Sequence, residues 1–200
     1  MIDIPPELEQ LAMKLFDIDA VRLGRFTLHS GRISPIYLDL RVLVSYPEAL
    51  RLATAVYRSL LAHLSFDVLA ATPLAGLPIG TAISLEMNVP LIYPRKTAKS
   101  YGTGKSIEGV WQVGQTAVVV DDLVTSGDSI LQAITPLKAA GLHVRDAVVL
   151  IDRQQGGVEM LRAEGYTLRP ATTLSQLLTI LERNGRITAR QRHDVLNSLN

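Results

Sequence analysis

The chain has 200 residues, 48% of them hydrophobic and 20% charged, with a formal net charge of +1; this suits one globular domain over 1–200 with a large core. So neutral a balance gives no reason to expect a general nucleic-acid binder, which would normally show a strong basic excess. The absence of cysteine excludes disulfides and thiolate chemistry and suits a cytoplasmic location.

Residues 1–7 show neither the basic nor the apolar region of a signal peptide, and no apolar run nears the ~20 residues of a membrane span. The expectation is therefore a cytoplasmic chain without membrane contact. Residues 6–16 place Leu8, Leu11, Ala12, Leu15 and Phe16 on one helical stripe. Residues 21–28 alternate loosely into the donor-rich turn His29-Ser30-Gly31-Arg32, and 33–40 read as a strand kept at an edge by Pro35. Ser45 and Glu48 have capping-box spacing with Pro47 in the first turn, before a helix on Leu50, Ala53, Val56, Tyr57, Leu60 and Leu61. Residues 67–71 read as a short buried strand, broken by 72–78; a helix over 79–87 and a strand over 89–93 follow.

From 94 to 114 the character changes: Arg95, Lys96, Lys99 and Lys105 lie among Gly102, Gly104, Gly109 and Gly114. Loops this long in a compact domain are usually functional, and a cationic one suits a polyphosphate whose charge grows as it leaves. Gly104-Lys105-Ser106 looks like the end of a nucleotide-binding P-loop, but Lys99 stands where that pattern needs glycine, and Gly109, Val110 and Val113 make a poor following helix.

Next comes the most informative stretch, Ala117-Val118-Val119-Val120-Asp121-Asp122-Leu123-Val124-Thr125-Ser126-Gly127-Asp128-Ser129. A fully buried parallel strand runs into two carboxylates, then into a small-residue turn at the start of a helix over 130–140. Carboxylates for hydroxyls beside backbone N–H groups for a phosphate describe a sugar-phosphate pocket. Asp128 leaves two readings: turned outward it caps the helix, turned inward it opposes the phosphate. Residues 145–151 form the next strand, ending at Asp152-Arg153, and 158–164 a short helix closed by Gly165. Thr173 with Gln176 and Thr188 with Gln191 have capping-box spacing for two more helices, the first ending at Gly185. Strands alternating with helices predict an open parallel α/β sheet with its ligands at the strands' carboxyl ends.

The 117–129 stretch resembles the phosphoribosyl-pyrophosphate (PRPP) motif of type I phosphoribosyltransferases. Five other segments, in the same order, resemble the orotate phosphoribosyltransferases: 26–32, 34–41 (Ser-Pro-Ile-Tyr-Leu-Asp-Leu-Arg), 93–99 (Tyr-Pro-Arg-Lys-Thr-Ala-Lys), Ile107-Glu108-Gly109 and 150–154 (Leu-Ile-Asp-Arg-Gln). Ser-Pro-Ile-Tyr and Gln155-Gly156-Gly157 are closer to the transferase half of eukaryotic UMP synthase. The resemblance implies a type I phosphoribosyltransferase fold, an open parallel sheet flanked by helices, with residues 1–40 contributing a small hood. It implies transfer of ribose 5-phosphate from PRPP to N1 of orotate, with Mg²⁺ held mainly by PRPP and no direct protein ligand. Lys99, Asp121 and Asp122 are implied as catalytic. His29, Arg95, Lys96, Lys99, Tyr101 and Asp121, Asp122, Leu123, Val124, Thr125, Ser126, Gly127, Asp128 and Ser129 would bind PRPP. Tyr37, Leu38, Thr125 and Arg153 would bind orotate, the guanidinium pairing with its carboxylate. His29 departs from the bacterial pattern, which has lysine there; a nearby pyrophosphate would favour its protonated form. A homodimer sharing the basic loop is expected, and association with a separate orotidylate decarboxylase is left open. Two alternatives stand beside this reading: transfer to another base, which should not need Arg153, and a non-catalytic PRPP sensor, which should lose the loop cations.

Overall fold

Apolar runs of four to ten residues pair side by side, and the alternation of their side chains decides which helices cover which face. The computed structural model describes residues 4–27, 31, 33–95 and 106–198. In order these form α1 (Pro6–Asp17), β1 (Val21–Thr27), β2 (Ile33–Leu38), a 3₁₀ turn (Leu40–Ser45), α2 (Pro47–Leu61), β3 (Val68–Ala71), α3 (Gly76–Met87) and β4 (Leu91–Pro94). There follow β5 (Ile107–Glu108), β6 (Thr116–Val124), α4 (Asp128–Ala139), β7 (His143–Asp152), α5 (Gly157–Ala163), β8 (Thr167–Thr173), α6 (Leu174–Arg183) and α7 (Ala189–Asn197).

The main sheet has the order β5-β4-β3-β6-β7-β8, parallel except for the β4–β5 pair. Alternation on the central strand β6 separates two cores. Val118 and Val120 pack with Leu69, Val148 and the buried faces of α1, α2, α3 and α6. Val119, one residue out of phase, packs with Val149 and with Ile130, Ala133, Ile134 and Leu137 of α4. The expected parallel α/β sheet flanked by helices is therefore the observed one. β1 and β2 form a separate antiparallel hairpin, tied to the first core through Val21 and Ile36.

Several details differ from the sequence reading. The strand expected over 33–40 stops at Leu38 and gives way to the 3₁₀ turn. The Ser45–Glu48 capping box does not form: Tyr46 takes the N-cap position with no side-chain cap, and Glu48 instead pairs with Lys14 at 2.6 Å. α3 starts at Gly76 rather than Ile79, because Pro78 falls in the first turn, where a missing N–H costs no intrahelical bond. β5 lies inside what read as one long loop, so Ser106 leads into a strand and not into the helix that a P-loop needs. β8 is an element the sequence reading does not include; it carries Pro170, which the sheet edge tolerates. Both Thr–Gln capping boxes form as expected. Among the described residues no helix is long and apolar enough to cross a membrane.

Candidate active site

The parallel strands end on one side of the sheet, and the loops after β3, β6 and β7 meet there. β6 does not stop before its acids, as the sequence suggested, but pairs with β7 through Val124, so Asp121 and Asp122 belong to the ladder. Asp121 is 7% exposed. Behind it, the fully buried Tyr57 of α2 donates its hydroxyl to the Asp121 carbonyl at 2.6 Å. The Asp122 N–H donates to Asp121 Oδ1 at 2.9 Å, and the Leu123 N–H to Asp122 Oδ1 at 2.8 Å. Burial, and then the neighbouring charge of Asp121, push the Asp122 carboxyl up to about 7. The pair thus holds back part of its charge near neutral pH.

These residues line a cavity of about 180 Å³, with Pro73, Leu74 and Ala75 from the loop after β3, and Thr125, Gly127 and Ser129. A cis peptide joins Pro73 to Leu74. A neighbouring cavity of about 330 Å³ shares Pro73 and Ser129 and is walled by Thr72, Pro94, Arg95 and Gln132. Gly127 supplies the turn at φ +92° and is itself the N-cap of α4, a backbone that side-chain-bearing residues rarely adopt. Asp128 is therefore the first helical residue and not the cap. It is exposed, and its carboxylate accepts the Ser126 hydroxyl at 2.7 Å, so the side chain is tethered to the turn's outer residue.

The other expected site residues fall in three groups. Arg95 lines the second cavity, but its guanidinium pairs with Glu108 and its N–H donates to the Ser106 carbonyl at 2.8 Å. His29, Lys96, Lys99 and Tyr101 lie outside the described residues. Tyr37 and Leu38 sit half-buried on β2 and are not among the residues lining the two cavities. The Tyr37 ring lies 5.5 Å from that of Phe26, under the Arg22 guanidinium at 5.0 Å, and its hydroxyl accepts from Arg41 at 3.2 Å.

Arg153 follows β7 directly. Its N–H donates to the Val124 carbonyl at 3.0 Å, which sets it beside the β6 turn. The guanidinium is half-buried, its Nε has no hydrogen-bond partner among the described residues, and desolvation lowers its pKa. Gly157 brings the two turns together: a Cβ there would lie 2.6 Å from the Thr125 carbonyl and 2.6 Å from Val124 Cγ2. Sequence reasoning missed Tyr57 and Gly157 as parts of the site. Tyr57 shows only as a core position on a helical stripe, and the close approach at Gly157 is a contact between distant segments. What the arrangement can do chemically is bind: carboxylates and a helix-opening turn share one cavity, and the half-buried Arg153 guanidinium follows the neighbouring turn.

Residues 45–162 match the phosphoribosyl transferase domain family. The bifunctional enzyme PyrF/PyrE of a Nostoc species is 40% identical over 184 residues, 92% of this chain and 39% of that protein. The orotate phosphoribosyltransferase of Caenorhabditis elegans is 37% identical over 187 residues, 92% of this chain and 82% of that one. The solved structure of Leishmania donovani UMP synthase superposes with a TM-score of 0.88 at 46% identity, covering 96% of this chain and 42% of that one. The chain thus spans 39% of the bifunctional Nostoc protein and 42% of the Leishmania one.

Proposed function

The chain belongs to the phosphoribosyl transferase domain family and, within it, to the orotate phosphoribosyltransferases; on that premise we propose that it transfers ribose 5-phosphate from PRPP to N1 of orotate. The C1′–O bond to pyrophosphate breaks, the N1–C1′ bond forms, and orotidine 5′-monophosphate and pyrophosphate leave. The observation that carries this reading is one cavity holding both Asp121–Asp122 and the Gly127 turn at the start of α4. The acids accept the ribose 2′- and 3′-hydroxyls. The turn from Thr125 to Ser129 offers N–H groups and hydroxyls to the 5′-phosphate, at the positive end of the helix. Arg95, Lys96 and Lys99, with His29 and Tyr101, meet the pyrophosphate. Arg153 pairs with the orotate carboxylate, and Tyr37 with Leu38 packs against the base.

Departure of pyrophosphate leaves positive character on the ribose and negative charge on the leaving group, so stabilising charge and aligning N1 are the protein's tasks. Mg²⁺ would be held mainly by PRPP, and the hard oxygens of Asp121 and Asp122, which face the ribose hydroxyls, suit a site beside such an ion. When bound, Mg²⁺ offsets charge on the pyrophosphate. The reading includes a homodimer in which the basic loop serves both subunits, and a cytoplasmic location, supported by the absence of cysteine. It also includes association with an orotidylate decarboxylase, in keeping with the bifunctional relatives.

Pyrophosphate release from Mg-PRPP, measured with orotate and then with uracil or a purine, tests the reading. Release with orotate and not with the others is expected. Release with another base but not orotate, or with none, overturns it.

A further inference from the structure

The turn that carries Arg153 is held in place by its neighbours. Asp152, 6% exposed, accepts the Gln154 N–H at 2.8 Å. Arg153 donates its own N–H to Val124. Gln154 has φ +58°, a left-handed backbone unusual for a residue with a side chain. Its amide oxygen reaches 21 positions along the chain, accepting the Ser175 N–H at 3.0 Å and the Ser175 hydroxyl at 2.5 Å. Ser175 lies in the first turn of α6, where backbone N–H groups lack intrahelical partners. The α6 capping box engages Gln176, so Gln154 supplies an acceptor that the box does not. A left-handed, side-chain-bearing residue persists where surrounding contacts hold it, and such residues gather at functional sites.

We propose that Gln154 and Ser175 are positioning residues: together they fix the turn after β7 so that the Arg153 guanidinium is aimed at the carboxylate of the acceptor base. This rests on the orotate reading above. Without the clamp, Gln154 returns to an ordinary backbone conformation, and Arg153, one residue away, swings with it. The buried Nε of Arg153 then meets the carboxylate at the wrong angle, a severe loss for a two-pronged hydrogen bond. The Gln154–Ser175 contact ties the β7 turn to α6 and not to β6 or α4, so binding of PRPP should change little.

Steady-state kinetics of Gln154→Ala, Gln154→Gly and Ser175→Ala test the proposal, each with a thermal melt. Both Gln154 variants should raise KM for orotate roughly tenfold, with KM for PRPP within about twofold; Ser175→Ala should raise KM for orotate about threefold. Gln154→Gly is the discriminating variant, since it relieves the left-handed backbone while removing the amide. If it keeps the unaltered KM for orotate, the amide clamp is irrelevant and the proposal fails. It also fails if the two KM values rise together, as a purely structural cap would cause. Should Gln154→Ala not fold, Ser175→Ala decides by the same split. If the unaltered chain makes no orotidylate, it is the orotate reading that falls; normal turnover with variants unchanged in KM for orotate overturns only the clamp.

Discussion

The turns after β6 and after β7 use the same backbone device with opposite chemistry. In each, a buried parallel strand ends, a glycine at φ +92° (Gly127) or φ +90° (Gly156) takes the N-cap position, and a helix begins. The β6 turn brings Asp121, Asp122, Thr125, Gly127 and Ser129 to one cavity. The β7 turn presents one half-buried guanidinium, and its neighbouring glutamine is spent on α6. Backbone shape makes a place for a ligand, while the side chains before the glycine choose its charge. In the proposed reaction the first turn serves the sugar phosphate and the second the acceptor base.

Substitutions can break this division of labour, beginning with the largest effect. Asp122→Asn should lower turnover by about 100-fold or more, as befits loss of a charged partner to the ribose. The same change should stabilise the unliganded protein at pH 8 by roughly 1–3 kcal/mol. The sign follows from a folded-state value raised to about 7: between that and the ordinary carboxylate range, the folded form binds more protons than the unfolded one. Stability therefore falls as pH rises through this window, and the variant escapes the fall. Denaturant melts at pH 5 and pH 8 read it directly; equal stability differences at both pH values would contradict the assignment.

Arg153→Ala should raise KM for orotate roughly 10- to 100-fold while leaving KM for PRPP nearly unchanged. A parallel rise in both would mean that the two turns serve one ligand. Gly157→Ala should cost about 2–3 kcal/mol, since its Cβ would lie 2.6 Å from the Thr125 carbonyl and wedge the turns apart. Gly156→Ala, one residue away, meets nothing within 4 Å and should cost only ~1 kcal/mol, from its left-handed backbone. Thermal melts that rank these two the other way would show that the turns are not in close contact. The smallest effect is expected for Tyr57→Phe: loss of the bond to the Asp121 carbonyl should cost about 1 kcal/mol and lower turnover modestly, with no preference between substrates.

The sequence alone carried the parallel α/β architecture, both Thr–Gln capping boxes, the acidic pair and the glycine turn. These are local signals: hydrophobic period, capping spacing, a left-handed turn that needs glycine. Tertiary structure decided what depends on a distant partner. β5 and β8 exist because β4 and β7 offer open edges, so two residues at 107–108 and a proline-bearing stretch at 167–173 became strands. Glu48 left its expected cap for Lys14, Arg95 found Glu108, and Asp128 took the Ser126 hydroxyl. Tyr57 reached the Asp121 carbonyl and Gln154 reached Ser175 across 64 and 21 positions of the chain. A sequence window registers propensity and pattern, but a hydrogen bond or ion pair also needs the other group brought within reach, and only the packed fold does that.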